Sequence, residues 1–203
     1  MTTRNPQQTR ERLLQHAFLE IHARGFQGMR VDEVLRQSGL QKGAFYHHFD
    51  SKVQLGYAVL DEQIGPMVEA LWILPLSQIE DPVRELPPLL LDGLNTRFPS
   101  VLLEHGCPLN NLAQEMAGQD EGFQWRIAQI FSRWIDAFET LFEKGKQGGY
   151  IRNEVDSHAV ARFLVATLEG CIGAFKVDHA PEQWSACRSQ IIVYLNGLRP
   201  GSE

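Results

Sequence analysis

The chain of 203 residues is long enough to bury a sizeable core in one or two domains. Its hydrophobic content of 43% and charged content of 22% are ordinary for a globular protein, and its net charge of −6 argues at first sight against a nucleic-acid partner. The polar start lacks a signal-peptide core, and no apolar run approaches the roughly 18 residues that a membrane helix needs. We therefore expect a cytoplasmic protein with no membrane partner.

The distribution of charge weakens the argument against nucleic acid. Residues 1–58 hold eight Lys and Arg against five acids, a balance of +3, whereas the remainder holds eleven bases against twenty acids, a balance of −9. A basic head on an acidic body suits an anionic partner at one end only. Segments also differ this much by chance, so the asymmetry alone does not identify the partner.

Helical periodicity dominates the first quarter of the chain. Residues 7–24 place apolar side chains on one stripe with charges opposite, and Gly25 predicts the end of this helix. A short second helix over residues 31–37 leads into the turn SGLQ, in which Gly39 can adopt a positive φ. A third short helix spans residues 42–49.

Lys52 opens a fourth, longer helix that we expect to be interrupted near Gly65 and Pro66. Long amphipathic helices follow beyond about residue 75. In the stretch EDPVREL, Asp81 is the expected N-cap and Pro82 the first helical residue. The other predicted helices span residues 108–117, 121–146, from Asp156 or Ser157 (one of which is the cap) to about 175, and 181–198.

The second and third predicted helices, joined by a four-residue turn with glycine, form a helix-turn-helix unit. Phe45 and Phe49 lie four residues apart and can share one buried face that holds the unit to the first helix. The opposite face carries Lys42, and the small residues Gly43 and Ala44 allow the backbone to approach DNA closely. One face of the third helix therefore packs, and the other is available to DNA.

The candidate DNA contacts cluster around this second face. Lys42 can reach a guanine edge or a phosphate, and Gln41 could read an adenine edge. Tyr46 and His47 have the length and the donors for phosphate oxygens, and Lys52 adds a cation at the next helix start. The candidate DNA-binding residues are Arg4, Arg30, Gln41, Lys42, Gly43, Ala44, Tyr46, His47 and Lys52.

The stretches TRERLLQHAFLEIHARGF and VDEVLRQSGLQKGAFYHHFDSK resemble the tetracycline-repressor (TetR) family of bacterial transcriptional regulators in order and spacing. The resemblance covers the head, including KGAFYHHF and the following lysine. Two positions depart from the family pattern. Arg30 stands where Ser or Thr often caps the second helix, and Gln41 stands where Ser usually begins the third and is a weaker cap.

Periodicity and resemblance agree on an all-α fold with an N-terminal three-helix head, residues 1–52, that carries the helix-turn-helix unit. Residues 53–203 form a larger helical body for ligand binding and dimerisation. The resemblance implies a homodimer through the last two long helices and an inducer pocket among the middle helices. Gly170 and Gly173 would allow close helix approach, although a plain intramolecular core explains the same apolar pattern.

The three cysteines, Cys107, Cys171 and Cys187, are widely spaced and odd in number, which argues against a disulfide framework and for reduced thiols. In EHGCPLNNLAQE, Cys107 would be the N-cap of a helix whose dipole favours the reactive thiolate. This stretch resembles the branch of the TetR family that contains N-ethylmaleimide-responsive repressors, in which such a cysteine senses electrophiles or oxidants. The alternative for Cys107 is a small buried residue, and packing is the prediction for the other two.

The remaining candidates concern the effector. Lys176 could be a cation near the Cys107 thiol, and aromatic residues of the body could line an inducer pocket or belong to the core. No catalytic motif, metal site or cofactor motif is visible. The candidate effector-binding or redox-sensing residues are Cys107, Trp134, Phe138, Phe163 and Lys176.

The sequence therefore predicts a sequence-specific DNA-binding regulator, a homodimeric repressor released from double-stranded operator DNA by a small-molecule or electrophile inducer. The alternative is a helical small-molecule binding protein that has lost operator binding. The intact set of Lys42, Tyr46, His47 and Lys52 argues against that alternative. An enzyme is a third class, for which the sequence offers no motif.

Overall fold

The structure is a computed structural model that describes residues 5–92 and 104–201. Within these ranges the regular secondary structure is helical throughout, which confirms the predicted all-α class. None of the helices described is long and apolar enough to cross a bilayer. In chain order the α-helices are α1 (Pro6–Gly28), α2 (Val31–Ser38), α3 (Lys42–His48), α4 (Lys52–Val59), α5 (Gly65–Val68), α6 (Leu74–Leu76), α7 (Pro82–Pro87), α8 (Pro108–Met116), α9 (Glu121–Gln147), α10 (Ser157–Asp178) and α11 (Pro181–Asn196), with π-helical segments at Leu60–Ile64, Glu69–Ile73 and Pro88–Asp92.

The chain forms two compact units, each made of two stretches of sequence. The first unit contains Met1–Met67 and Pro108–Gln129, and the second contains Val68–Cys107 and Ile130–Glu203. The first unit thus includes the whole predicted head, residues 1–52, together with α4, α8 and the start of α9. A functional boundary after residue 52 stays a prediction.

Helix α1 supplies the frame of the first unit and packs against α2, α4 and α8. Its predicted apolar stripe is buried, because Leu13, Leu14 and Ala17 are each at most 1% exposed. Burying a leucine side chain in this way stabilises the fold by about 1.5–3 kcal/mol. The predicted stop at Gly25 is also confirmed, since this residue leaves the helical conformation with φ 75° and ψ 166°. One further turn, to Gly28, precedes α2.

The predicted interruption near Gly65 and Pro66 is wrong, because the chain stays helical there. The Gly65 N–H donates to the Leu60 carbonyl five residues back, in a π-helical segment that ends just before Pro66. A second π-helical segment likewise ends shortly before Pro75. Proline lacks an N–H, and its ring clashes with the carbonyl four residues back in an α-helix. A wider π turn removes that clash without ending the helix.

Carboxylate caps open two helices of the second unit as the sequence predicts. Asp81 accepts hydrogen bonds from the N–H groups of Val83 (3.0 Å) and Arg84 (3.2 Å), with a proline in the first turn. Asp156 accepts from the Ala159 N–H at 3.0 Å. Each cap satisfies donors that the first turn of a helix leaves unpaired.

The expectation of reduced thiols is wrong for two of the three cysteines. Cys171 in α10 and Cys187 in α11 form a disulfide, with Cα atoms 6.4 Å apart. Helices α10 and α11 pack together, so apolar stripes that face each other bring these two thiols into contact. The prediction that Cys171 is a packing residue agrees with its exposure of 6%. Cys107 is partly exposed and outside any disulfide.

Candidate nucleic-acid interface

The turn between α2 and α3 sets the start of the third helix. Gly39 adopts the left-handed conformation (φ 64°, ψ 29°), and the Leu40 N–H donates to the Leu35 carbonyl at 3.0 Å. This is the usual way in which a glycine closes a helix. Gln41 then extends the chain to Lys42, and its side chain makes no capping hydrogen bond to α3, as expected for a weak cap.

The predicted packing face of α3 is buried. Phe45 is 1% and Phe49 is 5% exposed, and the two ring centroids lie 6.0 Å apart. The Arg10 guanidinium of α1 lies 5.2 Å from the Phe49 centroid, so the first helix covers this face with both apolar and cationic groups. These contacts hold α3 in the first unit.

The opposite side of α3 is open. Gln41, Lys42, Gly43, Tyr46 and His47 are exposed, with Tyr46 at 58%. The Lys42 ammonium lies 6.0 Å from the centroid of the Tyr46 ring, so the two side chains lie side by side along the helix. A Cβ atom at Gly43 would meet nothing within 4 Å, so no internal contact requires a glycine there. Ala44, also a candidate, is half-buried.

Two exposed cations of the first unit are not held by an acidic side chain among the described residues. Arg30, the N-cap residue of α2, and Lys42, the first residue of α3, are exposed and make no ion pair within residues 5–92 and 104–201. Arg4, a further candidate, lies outside the described residues. The other arginines of the predicted head are held by Glu62 (Arg10), the Ser38 carbonyl (Arg12), Glu20 (Arg24) and Glu33 (Arg36).

Lys52, a candidate DNA contact, is bound within the protein. Its ammonium donates to the Gln27 carbonyl at 3.0 Å and lies 4.9 Å from the centroid of the Phe26 ring. Partial burial lowers the pKa of Lys52, and the charge of Glu115 opposes that shift. The side chain remains half-buried and donates at least one hydrogen bond internally.

The two histidines at the end of α3 differ in environment. His47 is exposed, whereas His48 is half-buried, and their rings lie 4.9 Å apart. Burial lowers the pKa of His48, and the neighbouring His47 and Arg10 lower it further. His47 is therefore the histidine of this pair whose side chain is exposed to a partner.

The effector candidates occupy different environments in the second unit. Trp134 and Phe138 in α9 are fully buried, and Trp134 stacks on Trp72 with centroids 5.1 Å apart. The indole N–H of Trp134 is buried and makes no hydrogen bond to the residues that the structure describes. Phe163 in α10 is instead 47% exposed and contacts the Tyr194 ring, with the two ring centroids 4.6 Å apart.

Cys107 and Lys176, the proposed thiol and its possible cation, are both accessible. Cys107 is partly exposed and directly precedes α8, the position from which the sequence predicts an N-cap. Lys176 is exposed in the last turn of α10. Within the described residues, no cluster of three or more His, Cys, Asp or Glu could hold a metal ion.

The second unit also has a surface groove of about 350 Å³. Its lining mixes apolar and charged side chains and includes none of the effector candidates. A groove of this polarity could hold a small amphiphilic molecule. Representative lining residues are Ile73, Leu76, Arg133, Asp136, Leu141 and Lys144.

An apolar, small-residue face of α10 is uncovered. Ala166, Gly170 and Gly173 are exposed, and a Cβ atom at either glycine would meet nothing within 4 Å. Val177 in α10 and Val193 in α11 are 83% and 63% exposed. These helices therefore present the apolar surface that the predicted dimer requires.

Two polar constellations of the first unit were not predicted from the sequence. Glu115 in α8 binds the backbone N–H groups of Phe26 and Gln27. Asp120, just before α9, accepts from the Tyr57 hydroxyl at 2.6 Å and from the N–H of the third residue of α9 at 2.9 Å. The bonds to Phe26, Gln27 and Tyr57 each join residues more than 60 positions apart in the sequence, beyond the reach of any local pattern.

Comparison with known families decides the classification. Residues 13–59 match the family described as bacterial regulatory proteins, tetR family, and residues 92–191 match the tetracyclin repressor-like C-terminal domain. The chain is also 30% identical over 132 residues to an HTH-type transcriptional regulator in the lacX 3' region of Lactococcus lactis subsp. lactis, covering 65% of this chain and 67% of that protein. The chain belongs to the tetR family. It is a DNA-binding transcriptional regulator and not an enzyme.

One further relative and two solved structures cover more of the chain. The HTH-type transcriptional repressor DhaR of Mycobacterium sp. (strain GP1) is 27% identical over 187 residues, which is 92% of this chain and 88% of DhaR. A TetR-family regulator from Cytophaga hutchinsonii superposes with a TM-score of 0.86 at 18% identity, covering 97% and 98% of the two chains. E. coli NemR in its reduced form superposes with a TM-score of 0.77 at 22% identity, covering 94% and 96%. At these identities the two structures show the common fold alone.

Proposed function

We propose that this tetR-family regulator is a homodimeric repressor that binds double-stranded operator DNA through the exposed face of α3 and leaves it when an inducer binds. The observation that carries the proposal is the two-sidedness of α3. Phe45 and Phe49 are buried, whereas Lys42 on the other side is exposed and makes no ion pair among the described residues. A surface of this kind is complementary to the major groove and its flanking phosphates.

Each exposed residue of α3 has a distinct role in this proposal. Lys42 donates to a guanine edge or a phosphate, and Gln41 reads a neighbouring base edge. Tyr46 and His47 donate to phosphate oxygens, while Gly43 and Ala44 let the backbone lie close to the duplex. Arg30 and Arg4 add phosphate contacts. Lys52 contributes positive potential more than a direct contact, because its ammonium already donates to Gln27.

The second copy of the chain binds along α10 and α11. Gly170 and Gly173 have open space where a side chain would lie, and Phe163 is half-exposed on the same helix. Two helices that approach closely through glycines gain packing contacts that a monomer leaves unmade. A two-fold dimer would place its two α3 helices in successive major grooves, roughly 34–36 Å apart.

The inducer binds in the second unit, near the buried aromatic residues of α9. The buried indole N–H of Trp134 has no hydrogen-bond acceptor among the described residues, and an inducer with an acceptor atom would satisfy it. Phe138 belongs to the same apolar environment. Phe163 is assigned to the dimer surface, because it is half-exposed and contacts Tyr194.

The thiol of Cys107 provides a second route to release. It is partly exposed directly before α8, where a helix N-terminus favours the thiolate. In this reading the chain belongs to the branch of N-ethylmaleimide-responsive repressors, with Lys176 as a cation near the thiol. The relatives named above include one repressor, DhaR, and the NemR fold. A regulator of chromosomal DNA acts in the cytoplasm.

Selection of DNA from a random library, followed by fluorescence anisotropy on the enriched duplex, tests operator binding. We expect an enriched palindromic sequence that binds at least 1,000-fold more tightly than a scrambled duplex of equal length, as specific regulators do. Failure to enrich any sequence would overturn the proposal and favour the alternative, a helical ligand-binding protein without an operator.

The thiol route is tested separately with N-ethylmaleimide and the purified protein bound to the enriched duplex. Alkylation of the wild-type protein should release the DNA, and Cys107→Ser should remain bound. Intact-mass analysis of both proteins checks that the adduct is on Cys107. Release of the Cys107→Ser protein at the same rate would remove the chain from the thiol-responsive branch but leave operator binding in place.

A further inference from the structure

One carboxylate joins α8 to the turn that precedes the helix-turn-helix unit. Helix α1 is broken at Gly25. The N–H groups of Phe26 and Gln27 therefore lose the carbonyl partners that a continuous helix would provide four residues back. Glu115 in the last turn of α8 takes both. Its two oxygens accept from the Phe26 N–H at 2.7 Å and the Gln27 N–H at 2.8 Å. We refer to Glu115, Gly25, Phe26, Gln27 and Lys52 as the α8 clasp.

The clasp depends on a glycine at the break. Gly25 has φ 75°, a conformation that side chains with a Cβ rarely adopt. A Cβ at this position would also lie 2.7 Å and 2.9 Å from the two carboxylate oxygens of Glu115. Glycine therefore serves both the turn and the approach of the acid. A residue with a Cβ at this position would push the Glu115 carboxylate away from the two N–H groups.

The same turn is held from a second direction. Lys52, at the start of α4, donates to the Gln27 carbonyl at 3.0 Å, so the backbone N–H and the backbone carbonyl of Gln27 are both bound, by side chains from α8 and α4 respectively. The Phe26 ring is 6% exposed and lies 4.6 Å from the Phe123 ring. Gly56 leaves the space for these rings, because a Cβ there would lie 2.6 Å from each.

The α8 clasp lies directly before the helix-turn-helix unit in the chain, so it can affect DNA binding. Only three residues separate Gln27 from Val31, the first residue of α2, and Met29 between them is 1% exposed. At its other end, α8 begins one residue after Cys107. Because hydrogen bonds to an ionised carboxylate are short and strong, a displacement of α8 must either carry this turn with it or break both bonds.

We propose that Glu115 is a positioning residue for operator binding: by clasping the Phe26–Gln27 turn it fixes the orientation of the helix-turn-helix unit, and displacement of α8 acts on DNA affinity through this contact. The inference rests on the proposed function, since it concerns how the same α3 surface is presented. In a dimer, the orientation of each unit sets the separation of the two α3 helices and hence the half-site spacing that fits.

The test compares wild type, Glu115→Gln and Glu115→Ala on the selected operator and on versions with one base pair added or removed between the half-sites. We expect the wild-type protein to prefer the selected spacing, and Glu115→Ala to lose at least 5-fold of that preference, the lower end of ordinary coupling between sites. Glu115→Gln retains one acceptor oxygen and should be intermediate. Gln114→Ala, an exposed neighbour on α8, is the matched control and should behave as wild type.

A second measurement covers the case in which Glu115→Ala does not fold. Hydrogen exchange followed by NMR on full-length Glu115→Gln should show faster exchange at the Phe26 and Gln27 amides than in wild type, with core amides of α1 unchanged. An unaltered spacing preference in a folded Glu115→Ala, or unaltered exchange at both amides in Glu115→Gln, would overturn the inference while wild-type operator binding stands. Absence of wild-type binding to any duplex would refute the proposed function, and the inference with it.

Discussion

Replacing Lys42 with alanine is the most direct test of the proposed DNA surface, because it should weaken operator binding while hardly changing the stability of the fold. The side chain is exposed, and its one described contact is with the Tyr46 ring at 6.0 Å. An exposed cation–π contact is worth about 0.5–1 kcal/mol, and alanine recovers a few tenths through its helix propensity. We therefore expect the free energy of unfolding to change by less than about 1 kcal/mol.

The expected loss in operator binding is larger. Each protomer of the dimer loses one contact of more than about 1 kcal/mol, so the dimer should lose about 2 kcal/mol or more, which is roughly 30-fold in affinity. Two outcomes distinguish the kinds of contact. If Lys42 binds phosphate, the slope of log affinity against log salt should fall by about two, since two phosphate contacts are lost per dimer. If it reads a guanine, discrimination at that base pair should fall instead.

Fluorescence anisotropy on the selected duplex at several salt concentrations measures both quantities. The matched control is Lys144→Ala, which removes a lysine of the second unit that is also exposed and should leave affinity and slope unchanged. Urea denaturation of both variants establishes that they are folded. Wild-type affinity, salt slope and base discrimination in a folded Lys42→Ala protein would refute the assignment of α3 as the DNA-contacting surface.

Three further predictions concern stability. Asp120→Ala should lower the free energy of unfolding, measured by urea denaturation, by about 2–4 kcal/mol, since it removes the cap of α9 and leaves the Tyr57 hydroxyl unpaired. Tyr57→Phe should lower it by only about 1 kcal/mol, because the cap remains. Equal losses in the two variants would contradict the two roles assigned to Asp120. Cys187→Ser should lower the stability of the oxidised protein by about 2–3 kcal/mol, because the disulfide closes a loop of 16 residues, and a variant as stable as wild type without reductant would argue against the bond. Hydrogen bonds from Arg36 and then Gln37 lower the pKa of Glu33 to about 2, so this carboxylate stabilises the fold above its ordinary value of 4.5 and loses that effect as the pH falls toward 2. NMR titration of the Glu33 carboxyl should give a midpoint near 2, and a midpoint near 4.5 would exclude the interaction.

Most of the fold could be predicted because its signals are local. The α1 stripe, the Gly25 stop, the Gly39 turn and the Asp81 cap each depend on residues within about four positions of one another. The candidate DNA surface was predictable for the same reason. A seven-residue helix that buries Phe45, and whose C-cap residue Phe49 is buried beside it, has only one other face to expose, and that face carries Lys42.

The features that escaped prediction depend on contacts between distant parts of the chain. Lys52 and Gln27 lie 25 residues apart, and Glu115 and Phe26 lie 89 apart. From the sequence alone Lys52 is one more exposed cation, because nothing local shows the carbonyl that receives its hydrogen bond. The disulfide between α10 and α11 likewise follows from which faces of two helices meet. For the same reason the sequence could not show that the candidate effector-binding residues lie in different environments, and the roles of these residues stay predictions.

The glycines inside helices connect the two proposed binding surfaces. A helical glycine destabilises its helix by roughly 0.5–1 kcal/mol relative to alanine, so each needs a compensating reason. Gly56 and Gly145 have one within the chain, since a Cβ would lie 2.6 Å from the Phe26 and Phe123 rings at the first and 2.8 Å from Pro82 at the second. Gly43 in α3 and Gly170 and Gly173 in α10 have none among the described residues, because a Cβ at any of them would meet nothing there within 4 Å.

Where no contact within the chain requires a glycine, a contact with another molecule is the favoured explanation. Gly43 lies beside Lys42 on the face proposed to meet DNA, where a side chain would hold the helix away from the duplex. Gly170 and Gly173 lie on the face proposed to meet the second protomer, where side chains would separate two helices. If α10 faced only solvent, alanine at both positions would stabilise the helix at no steric cost. The positions of these three glycines therefore support an α3 that meets DNA and an α10 that meets its symmetry mate.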